Sequence, residues 1–111
     1  MILNDKNDCI ESIARILEQT AAWRRKTAAK YPDDNRNSKA AEMLDKLAID
    51  AASLTDEQFT DLQPHFGWSS QIWRDGLVSA ARMVGFAHRN TNLASFVRTV
   101  VRQLPSQRLS A

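Results

Sequence analysis

The sequence predicts an all-α domain, a compact bundle or orthogonal array of four main helices plus one short helix. Three observations carry this. Apolar residues recur at three- and four-residue spacing in four long stretches, and nowhere do apolar and polar residues alternate as in a strand. Only three glycines and three prolines punctuate 111 residues, so few tight turns are on offer. Alanine, the strongest helix former, fills much of the text between them. A chain of this length can bury a core without metal or disulfide staples, and 1–111 reads as one helical domain.

The first helix is expected over about 6–31. Ile10, Ile13, Leu17, Ala21 and Ala28 form its apolar stripe, with Cys9 and Ile16 on the flank. Asp8 and Glu11 have the spacing of a capping box. Pro32 biases Tyr31 away from the α region and ends the helix. After "PDDNRNS" a second helix is expected over 36–53, capped between Asp34 and Ser38. Its inner stripe is Met43, Leu44, Leu47, Ala48, Ala51 and Leu54, and its many alanines let a neighbouring backbone come close.

The third helix is short, about 56–63. Thr55 and Gln58 form a capping box, Leu54 and Phe59 form the accompanying hydrophobic staple, and Pro64 closes the segment. The fourth is expected over 70–84. Ile72, Trp73, Gly76, Leu77, Ala80, Ala81, Met83 and Val84 face inward, and Arg74, Asp75, Val78 and Arg82 take the remaining face. Its entry, "HFGWSSQIWRD", resembles the wall of a site. With Ser69 as the cap, however, Trp68 and Trp73 fall in staple register, so the aromatics are read as a device for starting the helix. Gly85 suits the left-handed position after the last turn. Asn90 or Asn92 caps a fifth helix over 92–104, whose inner residues are Leu93, Val97, Val100, Val101 and Leu104, with Arg98 and Arg102 outward. Residues 105–111 read as a loose tail.

Charge is uneven along the chain. The net is +2, but Met1 to Gln63 holds twelve acids against nine bases, whereas Pro64 to Ala111 holds six arginines and one acid, Asp75. Every base in the second part is arginine, the residue suited to forked contacts with carboxylate or phosphate. The ordinary explanation is a solvated face paired with the acidic half of the same molecule.

The motifs of enzyme and metal chemistry are missing. There is no HExxH, CxxC, GxSxG or glycine-rich phosphate loop. His65, Ser69, Ser70 and Asp75 are given no reason to converge, since a serine before a helix is commonly its cap. The single cysteine, Cys9, reads as a small core residue. The expectation is a non-catalytic chain with no cofactor or metal. No apolar run reaches the roughly 18 residues of a membrane span, and no basic-then-apolar leader is present, so a cytoplasmic protein is expected.

What remains is binding, to another protein or to a second copy of the chain. Arg24 breaks the rules most clearly, because the helical period puts it inside the first helix's apolar stripe. The expectation is that the helix outruns the bundle there, leaving Arg24 partly exposed and bonded to Asp33 or Asp34. A corner of Trp23, Arg24, Tyr31 and Arg36 would then offer the residue types that dominate interfaces. Arg74, Val78 and Arg82, and Arg98 with Arg102, are the further candidates. The leading expectation is a small accessory, inhibitor or regulatory protein with a protein partner. The alternative is an arginine-dependent nucleic-acid or ribonucleoprotein subunit using the basic C-terminal helices. A helix-turn-helix is disfavoured, because Gln63 to Ser69 is long for its turn and Asp75 and Val78 occupy the would-be reading face.

Overall fold

The computed structural model describes residues 6–62, 70–85 and 91–104. The expected all-α class holds. The elements in order are α1 (Lys6–Lys30), α2 (Arg36–Asp50) with a 3₁₀ turn (Ala51–Ser53) on its end, α3 (Asp56–Leu62), α4 (Ser70–Met83) and α5 (Leu93–Gln103), and among the described residues there is no strand element. Each boundary falls within a residue or two of its expected place, apart from the 3₁₀ character of the last turn after α2. The cap at Ser69 with Trp68, both histidines, and the segment from Pro105 onward lie outside the described residues.

Local chemistry explains the boundaries. The capping box at α3 is reciprocal: the Gln58 amide donates to Thr55 Oγ1 at 3.1 Å, and the Thr55 amide to Gln58 Oε1 at 2.9 Å. At α5, Asn92 is the cap, with its Oδ1 accepting from the Ser95 amide at 2.8 Å. The start of α2 differs from expectation. Asn35 holds the cap position without a side-chain bond, while the Asp34 carboxylate takes the Arg36 amide and side chain at once. An Asp two residues ahead of an amide closes a local turn of its own, which displaces the cap that spacing suggests. Asp8 sits in the first turn of α1, inside the helix rather than ahead of it, so it is not the N-cap.

A short loop folds α1 and α2 back against each other, and this pair forms the base of the core. Cys9, Ile13, Ile16, Leu17 and Ala21 meet Ala41, Leu44, Leu47 and Ala51 in one buried cluster. The stripe of α1 is rotated toward Cys9 and Ile16, and Ile10 packs only at its margin. On α5 the reading missed Phe96, which is fully buried, and Thr99, whose hydroxyl bonds the Ser95 carbonyl; Val101 is only partly covered. Both errors have one cause: three-four spacing leaves about a quarter-turn of freedom, and only neighbours on both sides fix the angle.

α4 lies along α1 and runs parallel to it. Near its start, Trp73 Nε1 donates to Ser12 Oγ at 3.0 Å; at its end, the Arg82 carbonyl accepts from Arg24 at 2.6 Å. α5 crosses α4 where Gly76 leaves room for Leu104, and Ser79 Oγ donates to Gln103 Oε1 at 3.2 Å. After α4 the chain turns at Gly85, φ +90°, and a Cβ there would lie 2.6 Å from the Cβ of Ala40 on α2. A glycine facing an alanine thus lets this turn sit on α2. No helix among the described residues is long and apolar enough to cross a membrane.

Candidate functional site

The corner expected from Trp23, Arg24, Tyr31 and Arg36 does not form as one site. Arg24 is 4% exposed, and α1 does not outrun the core at this point. Its guanidinium donates to Asn37 Oδ1 on α2 at 3.1 Å and to the Arg82 carbonyl on α4 at 2.6 Å, not to Asp33 or Asp34. Its charge lies at the C-terminal end of α4, where carbonyls point outward and a cation is stabilised. Burial, and then the neighbouring Arg82 charge, lower its pKa from the ordinary arginine value. Arg24 therefore ties three helices together, with its guanidinium turned into the fold.

Tyr31 is 60% exposed, just past the end of α1. Arg36 is committed to Asp34 through a forked pair, 2.7 Å at its shortest, which pulls the Asp34 carboxyl down to about 2. Arg98 and Arg102 face outward on α5, as expected, with Ser95 Oγ and Thr99 Oγ1 as their bonding partners. None of these four residues lines the groove described next.

The structure gathers the other four candidates. Trp23, Arg74, Val78 and Arg82 line a cavity of about 190 Å³ with Gln19 and Thr20. A second cavity of about 290 Å³ continues it along the same seam, lined by Ser12, Arg15 and Ile16 from α1 and by Gln71, Trp73, Arg74 and Leu77 from α4. Arg74 lines both. Because the helices are parallel, each supplies a rim at i, i+4, i+8: Arg15, Gln19 and Trp23 from α1, and Arg74, Val78 and Arg82 from α4. Ile16, Trp73 and Leu77 are buried and form an apolar floor at the wider end.

The groove is cationic. Among the described residues its two cavities are lined by three arginines and no carboxylate, the acids Asp8 and Glu11 bordering a smaller cavity beyond Ser12 and Arg15. Arg15 is paired with Glu11 at 2.8 Å, but among the described residues neither Arg74 nor Arg82 has a carboxylate partner. Asp75, the acid of α4, accepts from Gln71 at 2.8 Å and lines neither cavity. Trp23 is 44% exposed, with the guanidinium of Arg82 5.1 Å and that of Arg24 4.9 Å from its ring centroid. The contact with Arg82 holds both side chains in place without using that arginine's N–H donors.

Arg15, Gln19, Ser12 and Gln71 were not singled out from sequence. Their signal is the shared helical face of Arg15, Gln19 and Trp23, which becomes a rim only once α4 is known to lie beside it. Cys9 is fully buried, and burial pushes its thiol up to about 12, so it stays protonated in the folded chain. Among the described residues no group of three or more His, Cys, Asp or Glu side chains is arranged to hold a metal ion. No family model matches this chain, and no curated protein or solved structure is similar enough to lend it a function.

Proposed function

We propose that this chain is a small, non-catalytic binding protein that engages a protein partner through the α1–α4 groove. One observation carries the reading. A half-exposed tryptophan braced by an arginine lies on the same groove as two arginines that no carboxylate of the described chain satisfies. Trp and Arg are the residue types on which interface affinity concentrates, and both side chains are positioned before any partner arrives. Self-pairing through this face is disfavoured, because a two-fold contact would set Arg74 and Arg82 against their own copies.

A second reading rests on α5. Arg98 and Arg102 stand one turn apart, exposed, and their partners among the described residues are hydroxyls, which suits contact with a phosphate backbone. The readings separate in one experiment. The tagged protein and its Trp23→Ala, Arg82→Glu and Arg98→Glu/Arg102→Glu variants are used as bait in native lysate, with and without nuclease. The proposal expects one stoichiometric protein, retained after nuclease, lost with the groove variants and kept with the α5 variant. Loss only on nuclease treatment or only with the α5 variant would overturn it in favour of nucleic acid.

A further inference from the structure

Resting on that reading, we infer that the occupant of the groove is an acidic amphipathic α-helix contributed by the partner. Both rims repeat every four residues on parallel helices, and among the described residues no strand edge is available to add an extended peptide as a further strand. A third helix seats its own side-chain ridge in such a channel.

Charge then sets the sequence of that helix. Arg74 and Arg82 are eight residues apart on α4, about 12 Å along its axis. A helix lying alongside meets both only if it carries carboxylates about two turns apart, at i and i+7 or i+8. Between the two arginines stands Val78, and beside Arg74 the cavity is floored by Ile16, Trp73 and Leu77. Those positions call for apolar side chains, one of them large enough to enter the 290 Å³ cavity. The recognised segment is therefore a helix whose apolar stripe is bordered by Asp or Glu at two-turn spacing. A phosphate backbone has nothing to place on Val78 or on the apolar floor, which is why nucleic acid fits this groove poorly.

The test is a selection from displayed random helical peptides on the wild-type protein, with counter-selection on the Arg74→Glu/Arg82→Glu variant. Both side chains are exposed, and circular dichroism checks that the variant stays folded. Enriched peptides are expected to share paired carboxylates seven or eight residues apart around an apolar stripe. By fluorescence anisotropy the best of them should bind Arg74→Glu or Arg82→Glu roughly tenfold or more weakly than wild type. Replacing the facing carboxylate with Lys should restore binding to the matching Glu variant. A same-composition scramble binding equally well, failure of the charge swap, enrichment of peptides without the acidic pair, or tighter binding of a labelled oligothymidine would each overturn the inference. Failure here, with the Trp23- and Arg82-dependent partner still captured from lysate, removes the acidic helix and leaves the groove reading standing.

Discussion

Replacing Arg24 with methionine tests the central structural reading. Methionine keeps much of the length and volume and removes the charge. Two acceptors among the described residues then lose their donor: Asn37 Oδ1, in a residue 8% exposed, and the Arg82 carbonyl at the end of α4. Hydrogen bonds from a charged donor contribute about 1.5–3 kcal/mol each, and the guanidinium's own burial, visible in its lowered pKa, offsets part of that. The net cost should be about 2–4 kcal/mol. Urea unfolding reads it directly: with a slope of about 1.5 kcal/mol per molar, a loss of about 3 kcal/mol lowers the midpoint by about 2 M. Arg24→Met/Asn37→Leu should recover part of the loss, because the orphaned amide is then gone. An unchanged midpoint in Arg24→Met, or a double variant whose losses simply add, would refute the claim that Arg24 ties α1 to α2 and α4.

Three further outcomes are expected of the same fold. Leu47→Ala, Leu77→Ala and Val97→Ala, each at a buried position, should each cost about 2–4 kcal/mol in thermal or urea melts, whereas Ile49→Ala, at a position 76% exposed, should change stability by no more than about 0.5 kcal/mol. Gly85→Ala combines a positive φ with a Cβ pressed onto Ala40 and should cost about 2–4 kcal/mol, while Gly76→Ala crowds the Leu104 side chain at Cδ2 and Cγ without backbone strain and should cost less; paired urea melts compare them. Asp34, held by Arg36 at about 2 against an ordinary 3.8, favours the folded loop fully above about pH 4 and loses that contribution as pH falls through about 2; a carboxyl NMR titration should show the low midpoint, rising toward 3.8 in Arg36→Ala.

The capping boxes, glycine turns and helix spans are local events, settled by residues within four positions of one another. That is why Thr55 with Gln58, Asn92, Gly85 and Pro32 could be read in advance. Inward and outward faces were legible to within a fraction of a turn, enough to place Leu17, Leu47 and Leu77 correctly and to miss Phe96. Arg24 was recognised as an anomaly, but spacing alone suggested escape to solvent and partners across the nearest loop. Its hydrogen-bond partners among the described residues are 13 and 58 residues away, and that distance is what sequence periodicity does not encode.

The candidate site divides along the same line. The sequence by itself marked the candidates for binding: Trp23 and a set of arginines, concentrated with few acids near them after Pro64. Only the tertiary structure decided which of them lie together. Laying α4 parallel to α1 brings Arg74, Val78 and Arg82 alongside Trp23, and it leaves Tyr31, Arg36, Arg98 and Arg102 elsewhere. The physical reason is that a helix's face is written in its own sequence. The neighbour that turns the face into a groove is chosen by long-range packing, here through Trp73 on Ser12, Gly85 on Ala40 and Arg24 on the end of α4.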